Sequence, residues 1–279
     1  MHLIKDIFKR LTVIFFPIYF KIRLYRFIKN LNWKNLPDEE AELLLMEFFL
    51  PGNGIFFDIG ANTGIYTFCA EKYIKPQCIY AFEPIPELHF RLKSMFRKAN
   101  ISKLALSDST GVHNFKIPTI GKHEYKSRGK LNTEYIERGE TNFRIIQVRT
   151  STLDSFVIEK NIPNIHFMKI DVEGNEFQVI MGGVETLKRI RPVLQIEIEQ
   201  RHYKRDINEI IEYVNKLGYI CYYLDLSLKA LKKVENDPKQ LQIERDFKTT
   251  RYINNFIFVP DTKDWETKLF EINALILKA

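Results

Sequence analysis

The chain has 279 residues, with 42 Lys and Arg against 35 Asp and Glu and a formal net charge of +7. This length fits one large domain, or a domain with an appendage, and can bury a substantial core. The basic excess is modest and spread out, and there is no RNA-binding signature, so we predict no nucleic-acid partner. Cys69, Cys78 and Cys221 fit neither a disulfide framework nor a metal site, which predicts a reducing, cytoplasmic location.

We predict that residues 1–50 form a basic amphipathic helical extension and that residues 51–279 form the main domain. From Leu3 to Asn30, bulky apolar residues alternate with lysines and arginines. The uninterrupted apolar part, Val13 to Phe20, is far shorter than the ~20 residues of a spanning helix. The pattern is typical of peripheral attachment to the inner, anionic face of a membrane. Alternatively, these helices cover the sheet or form the seam of a homo-oligomer.

Beyond a helix predicted from an N-cap at Asp38 to Phe49, strand-like and helix-like patterns alternate as in a parallel α/β sheet. The predicted strands of this part are Ile55–Phe57, Cys78–Phe82, Ile101–Leu106, Val112–Ile117, Ile145–Arg149, His166–Ile170 and Pro192–Ile198. The predicted helices between them are Gly64–Tyr73, Pro86–Lys98, Thr152–Glu159 and Gly174–Ile190. A helix Ile207–Leu217, an antiparallel strand pair Tyr219–Leu224 and Tyr252–Val259, and a terminal helix from Thr262 complete the chain.

The turn after the first predicted strand carries the pattern Asp58-x-Gly60-x-Asn62-x-Gly64. Glycines let a backbone approach a ligand closely, and the helix that follows offers unpaired N–H groups. Nicotinamide dinucleotides require G-x-G-x-x-G, which opens onto a pyrophosphate. A carboxylate at the front of the loop would repel a pyrophosphate, whereas it could accept from a ligand that carries an ammonium and a sulfonium, such as S-adenosylmethionine. The alternative is a tight turn without a ligand.

The next two strand ends extend this ligand site. The second predicted strand ends in Glu83-Pro84, and an acidic residue at this place is suited to accept both hydroxyls of a ribose. The third predicted strand ends beside the expected adenine position. There the backbone of Ala105 and Leu106, or the side chain of Ser107, could read the edge of the base. An ordinary strand followed by a turn explains these three residues equally well.

A crowded acidic run, Asp171 to Glu176, follows the predicted strand His166–Ile170. Carboxylates at the carboxyl end of a central strand are costly unless they are solvated or used, and helix capping explains Glu176 but not Asp171. We expect Asp171, Glu173 or His202 to act as a general base. A rival hypothesis, which we do not favour, has Asp171 hold magnesium together with an acid of the next strand end, Glu197 or Glu199.

Four stretches of this chain, in order, resemble the FkbM family of S-adenosylmethionine-dependent methyltransferases. They are Phe57–Gly64, Phe82–Pro84, Thr152–Asp154 and Lys169–Glu176, within a region from about Ile55 to His202. The resemblance implies a Rossmann-like fold with a mostly parallel seven-stranded sheet and an antiparallel final hairpin. It also implies methyl transfer, usually to oxygen, often on sugars, glycans or other small molecules.

The same resemblance implies roles for single residues. Asp58, Gly60, Asn62 and Gly64 would hold the methionine part of the cofactor, Glu83 the ribose, and Asp171 would lie near the reacting centre. The long, basic segment Pro118–Arg144 lies outside the shared motifs and is predicted to be irregular. Because loops of this size commonly act as lids or binding segments, we expect it to contact an acidic or polyhydroxylated acceptor, unless it is simply a solvated loop.

Two other classes of protein remain open from the sequence. An NAD-dependent oxidoreductase would keep the glycine turn and Glu83, but it would lack its usual pyrophosphate fingerprint. A noncatalytic, membrane-associated scaffold would retain the fold and bind no cofactor.

Overall fold

The computed structural model describes residues 17–34, 36, 40–235, 237–242 and 252–278. The strands are β1 (Phe56–Ile59), β2 (Ile79–Phe82), β3 (Asn100–Ser102), β4 (Ala105–Leu106), β5 (Gly111–Ile120), β6 (His123–Glu124), β7 (Glu140–Ser151), β8 (Phe167–Ile170), β9 (Val193–Glu197), β10 (Tyr219–Asp225), β11 (Ala230–Lys233) and β12 (Asn255–Pro260). The helices are α1 (17–28), α2 (Met46–Phe49), α3 (Ile65–Ala70), α4 (Pro86–Met95), α5 (Leu153–Glu159), α6 (Glu176–Met181), α7 (Val184–Ile190), α8 (Ile207–Lys216) and α9 (Lys263–Lys278).

The main sheet confirms the predicted Rossmann-like α/β fold. Its strand order is β11-β10-β12-β9-β8-β1-β2-β3. Within this sheet, the five neighbouring strands β9, β8, β1, β2 and β3 are parallel. Strand β12 is antiparallel to β9 and to β10, as predicted for the end of the chain. The described part of this sheet has eight strands rather than the predicted seven, because β11 adds an antiparallel edge to β10.

The sheet separates two apolar cores, since successive side chains of a strand point to opposite faces. Phe56 of β1 stacks on Phe167 of β8 in one core, with ring centroids 5.4 Å apart. The next residue, Phe57, belongs to the other core and contacts the ring of Phe82 at 5.5 Å. Strand β1 is therefore buried on both faces, which fits its three large apolar residues, Phe56, Phe57 and Ile59, and fixes the loop that follows it.

A second sheet, with the order β4-β7-β5-β6, corrects two predictions. The single strand predicted for Ile101–Leu106 is wrong, because β3 joins the main sheet and β4 pairs with β7. The predicted irregular segment Pro118–Arg144 is too long at both ends, because β5 continues to Ile120 and β7 begins at Glu140.

The remaining insertion, residues 121–139, is attached to the second sheet by hydrogen bonds from β5. The ammonium group of Lys116, which lies 2.7 Å from Glu140 of β7, also donates to the carbonyl of Tyr135 at 2.6 Å, and within the insertion Lys130 lies 2.9 Å from Glu137. The backbones of Lys116 and Lys130 also exchange both hydrogen bonds, at 2.8 and 2.9 Å. These contacts give the insertion a defined position, which its basic and polar sequence does not predict.

The predicted helix Gly174–Ile190 is also wrong as one element, because it divides at Gly182 and Gly183 into α6 and α7. A Cβ on Gly182 would lie 2.1 Å from the carbonyl oxygen of Ser107. Glycine is therefore required at the break, and the start of α7 is held against α5 by the carboxylate of Asp154, which accepts from the N–H groups of Glu185 and Thr186 at 3.2 and 2.7 Å. The predicted N-cap Asp38 lies outside the described residues, and its helix is observed as a 3-10 turn, Ala41–Leu45, followed by α2.

The described part of the N-terminal extension begins with α1, which packs through Leu24 and Ile28 on the core that contains Phe56 and Phe167. Its Lys21 lies 3.2 Å from Glu71. Within the described ranges, no helix has the length and apolarity needed to cross a bilayer. Of the membrane-attached segment predicted for Leu3 to Asn30, residues 3–16 lie outside the described residues. The domain boundary predicted at residue 50 stays a prediction.

Candidate active site

A cleft of about 700 Å³, including its open mouth, lies at the carboxyl ends of β1, β2 and β8. Open α/β sheets bind their ligands at this edge. The cleft brings together most of the predicted site residues: Gly60, Asn62, Glu83, Ala105, Leu106, Asp171 and Glu173. The 121–139 insertion forms a further wall through Lys126, Ser127 and Gly129.

The turn after β1 requires glycine at position 60. Its φ is +84°, and a Cβ there would lie 1.8 Å from the carbonyl oxygen of Asp171. The N–H groups of Gly60 and Ala61 both donate to the carbonyl of Phe82, at 3.1 and 3.0 Å. The turn is thus held against β2 and β8. Gly64 does not line the cleft; it precedes α3 and packs beside Leu92.

Asp58 lies beneath this turn and not at the surface of the cleft. Its Oδ2 accepts hydrogen bonds from the backbone N–H and the hydroxyl of Thr67 in α3, at 3.0 and 2.6 Å. Burial raises the pKa of Asp58 to about 6, although the two bonds from Thr67 oppose this shift. The carboxylate therefore joins the end of β1 to α3, and its predicted contact with the methionine part of a cofactor stays a prediction.

Glu83 lies at the cleft with both carboxylate oxygens already placed by the backbone. Oε2 accepts from the N–H of Asn62 at 3.0 Å, and Oε1 accepts from the N–H of Ile85 at 2.8 Å. Because a carboxylate oxygen can accept two hydrogen bonds, each retains one acceptor site. Burial raises the pKa of Glu83 to about 7, against the effect of these backbone bonds.

The predicted base-reading residues divide into two groups. Ala105 and Leu106 line the cleft, whereas Ser107 is buried behind it. Asn175, which the sequence reasoning missed, joins the acidic run to these residues. Its amide nitrogen is 3.3 Å from both the carbonyl of Leu106 and the hydroxyl of Ser107. Its place directly before α6 was the available signal, since asparagine is a favoured residue at a helix start.

Asp171 and Glu197 share a buried ammonium group. Lys169 Nζ lies 3.2 Å from Asp171 and 3.8 Å from Glu197. Burial opposes the charged form of Lys169, but the surrounding carboxylates raise its pKa overall. Glu199 is paired with Arg201, and although burial acts in the opposite direction, this pairing lowers the pKa of Glu199 to about 2. These residues therefore do not fit the magnesium site of the rival hypothesis, because Lys169 contacts both Asp171 and Glu197, and Glu199 is already paired with Arg201.

Glu173 and His202 face each other at the edge of the cleft. Glu173 Oε2 lies 3.4 Å from His202 Nε2, and neither atom has a hydrogen-bond partner among the described residues. Gly174 allows this approach, since a Cβ there would lie 3.0 Å from that of His202. Glu173 itself has a φ of +56°, which is uncommon for a residue with a side chain. Such local strain is often found at functional positions.

The protonation states of this pair are complementary. Burial, with the neighbouring charge of Asp171, raises the pKa of Glu173 to about 8. Burial, with the nearby guanidinium of Arg201, lowers the pKa of His202 to about 4. Near neutral pH the carboxyl group of Glu173 is therefore mostly protonated and the imidazole of His202 is neutral.

Glu137, at the end of the insertion, also lies near this pair. One ligand atom from each of Glu137, Glu173 and His202 falls within 4.8 Å of the others, as a metal site would require. However, Glu137 lies 2.9 Å from Lys130 and 2.8 Å from Arg201. Its charge is already neutralised by two cations, so a metal ion would have to displace or face them. Its evident role is to attach the insertion to the edge of the cleft.

Because two carboxyl groups of the cleft are buried, we predict that the free energy of unfolding falls as the pH rises from 6.5 to 8.5. Over this range Glu83 and Glu173 lose protons in the folded chain, with pKa values of about 7 and about 8, whereas they are ionised throughout in the unfolded chain. The folded state thus binds more protons, so raising the pH favours unfolding, by about 3 kcal/mol. Urea unfolding at both pH values measures this change. A double variant, Glu83→Gln with Glu173→Gln, should lose most of the dependence, and an unchanged slope would contradict the account.

The sheet is parallel except at its β12-β10-β11 end, with a glycine turn after β1 and a buried acid after β2, and this arrangement defines a Rossmann-like methyltransferase fold. The comparisons with known proteins agree. The model of the FkbM methyltransferase domain matches residues 58–221, more than half of the chain, and the chain belongs to this family. The predicted membership is thereby confirmed.

Two known proteins are similar to this chain. Hexuronic acid methyltransferase AglP of Haloferax volcanii is 24% identical over 186 residues, which cover 64% of this chain and 70% of that protein. The crystal structure of methyltransferase FkbM from Methylobacillus flagellatus has 11% identity and a TM-score of 0.45. That comparison covers 75% of this chain and 44% of the other, so the chain spans less than half of the solved protein.

Proposed function

We propose that this protein transfers a methyl group from S-adenosylmethionine to a hydroxyl oxygen of a sugar or glycan. The observation that carries the proposal is Glu83, a buried carboxylate at the end of β2 that faces the cleft with an acceptor site left on each oxygen. Family membership supports methyl transfer over the oxidoreductase alternative. The sugar acceptor is supported by the similarity to a hexuronic acid methyltransferase.

The cleft residues fit the cofactor part by part. Glu83 would accept the ribose hydroxyls, the backbone around Gly60 and Asn62 would receive the amino-acid end, and Ala105 with Leu106 would contact the base. When bound, the cofactor supplies an electrophilic methyl on its sulfonium. Much of the acceleration would come from holding the acceptor oxygen in line with that methyl, since positioning supplies up to ~7–11 kcal/mol.

Glu173 is the best placed of the three predicted general bases. It lines the cleft, whereas the carboxylate of Asp171 is paired with Lys169 and His202 lies behind Glu173. A base with a pKa near the working pH is the most effective proton acceptor. In its ionised form, Glu173 would take the proton of the acceptor hydroxyl on its other oxygen, Oε1, because Oε2 is buried against His202. The neutral imidazole of His202 would orient the carboxyl group from behind.

Lys126 supports an acidic sugar as the acceptor. Among the described residues that line the cleft it is the one cationic side chain, and its nearest acid, Glu87, lies 3.6 Å away at a partly exposed pair. Lys126→Ala should raise the KM for a hexuronate-containing acceptor about five- to tenfold, because a charge-assisted contact is lost at a partly solvated position. The KM for a neutral sugar should stay the same.

Steady-state kinetics with both acceptors measures this difference. Lys122→Ala is the matched control, since Lys122 is an exposed lysine of the same insertion that does not line the cleft. Equal KM changes in the two variants would argue against recognition of a carboxylate by Lys126.

The proposed function is tested by incubating the protein with methyl-labelled S-adenosylmethionine and hexuronate-containing glycans. We expect label on a sugar oxygen, located by fragmentation mass spectrometry. Calorimetric titration distinguishes the alternatives: S-adenosylhomocysteine should bind, whereas NAD should not. Binding of NAD alone would favour the oxidoreductase, and binding of neither ligand would favour the scaffold.

A further inference from the structure

Helix α1 and the turn after it have an unusual charge distribution. Residues 17–34 contain five basic side chains and no aspartate or glutamate; the basic residues are Lys21, Arg23, Arg26, Lys29 and Lys34. The preceding residues 1–16 continue the apolar and basic composition with a single acid, Asp6. This end of the chain is therefore strongly cationic, while the rest of the chain is nearly balanced.

The outer face of α1 is apolar as well as basic. Five large apolar or aromatic side chains of this short helix are each about half exposed or more: Ile18 at 52%, Tyr19 at 61%, Ile22 at 46%, Tyr25 at 58% and Phe27 at 48%. Isolated exposed apolar residues are common, but a concentration of them on one helix marks a surface that contacts another apolar phase. We call these five side chains, together with Arg23 and Arg26 of the helix and Lys29 of the turn after it, the outer face of α1.

The opposite face of α1 is attached to the domain beside the cleft. Leu24 and Ile28 pack into the core that contains Phe56 and Phe167, and the guanidinium of Arg91 lies 5.0 Å from the ring centroid of Phe20. The same Arg91 donates from Nη2 to the carbonyl of Asn62 at 2.9 Å, in the turn that lines the cleft. One side chain thus separates α1 from the proposed cofactor turn, and the outer face is held in a fixed position relative to the site.

We propose that the outer face of α1 docks the protein on an anionic lipid bilayer. Apolar and tyrosine side chains enter the interfacial region, while arginines and lysines contact anionic headgroups. A second copy of the chain fits less well, because a two-fold interface brings the same patch of each copy together and would oppose Arg23, Arg26 and Lys29 to their own equivalents. Docking would bring the cleft close to the membrane, within reach of sugars attached to lipids.

Vesicle co-sedimentation of the full chain tests the proposal without any need for methyl transfer, so its failure is separate from failure of the proposed function. We expect binding to vesicles that contain phosphatidylglycerol, weaker binding at high salt, and little binding to pure phosphatidylcholine. Ile22→Ser with Tyr25→Ser should reduce the partition coefficient about tenfold or more. Arg23→Glu with Arg26→Glu should reduce it at least as much, because each cation contributes about fivefold.

The matched control is Ile158→Ser with Val112→Ser, which removes apolar residues of similar exposure, 73% and 62%, away from α1. This control should bind like the wild type. Equal binding by the α1 variants and the control would overturn the proposal, as would absence of binding to anionic vesicles. Sedimentation velocity without lipid provides the last arm. A dimer that only the α1 variants dissociate would assign the outer face to a second copy instead.

Discussion

Glu173→Gln should lower kcat about 10²–10⁴-fold, the usual contribution of general-base catalysis. The amide keeps the shape of the side chain but cannot accept the proton of the acceptor hydroxyl. Affinity for S-adenosylhomocysteine should stay within a few-fold, because Glu173 lies on the acceptor side of the proposed arrangement. The wild-type rate should also rise with pH toward the pKa of Glu173, about 8, and then level off.

Single-turnover kinetics with labelled cofactor separates the chemical step from binding in this variant. Glu185→Gln, an exposed acid on α7, is the matched control and should retain the full rate. Asp171→Asn distinguishes the remaining candidate, because its carboxylate is paired with Lys169 and should matter less as a base. A full-rate Glu173→Gln enzyme together with an inactive Asp171→Asn enzyme would transfer the base assignment to Asp171.

Glu83→Gln should weaken binding of S-adenosylhomocysteine about 10–100-fold at pH 8, where the wild-type carboxyl group is mostly ionised. Two effects act in the same direction. The amide nitrogen cannot accept from a ribose hydroxyl, and it also cannot accept from the backbone N–H of Asn62 or Ile85. The second effect leaves a buried donor unpaired and should lower the free energy of unfolding by about 1–3 kcal/mol.

Calorimetry and urea unfolding measure the two consequences separately. Glu87→Gln is a suitable control, because Glu87 lies close in sequence on α4 but is half exposed and binds Lys126 and Arg144. It should retain the cofactor affinity. If Glu83→Gln lost stability and kept full affinity, Glu83 would be a purely structural carboxylate.

The features of this protein that could be predicted from the sequence are local ones. The turn at Gly60 follows from residues within a few positions, and Glu83 lies at the end of a short apolar run whose length and aromatic residues favour a buried strand. Because parallel strands end at the same edge of a sheet, these motifs and the run after Ile170 had to meet in one cleft.

The features that escaped prediction depend on contacts between distant parts of the chain. Lys169 is a lysine within an apolar strand, two residues before Asp171 and on the same face, but its second partner, Glu197, follows from the pairing of β8 with β9. The insertion is positioned by the backbone pairing of Lys130 with Lys116 and by the contact of Glu137 with Arg201, and the burial of Lys130 and Glu137 cannot be read from a charged and polar stretch. The contact of Asp58 with Thr67 was not predicted either, because it depends on how α3 packs against β1.

The central claim is that the cleft binds S-adenosylmethionine with its ribose at Glu83. The most direct measurement is a crystal structure of the protein with S-adenosylhomocysteine. We expect both ribose hydroxyls within hydrogen-bond distance of Glu83, the base beside Ala105 and Leu106, and the sulfur directed toward Glu173. A ligand bound elsewhere, or bound in the cleft with its ribose away from Glu83, would contradict the account.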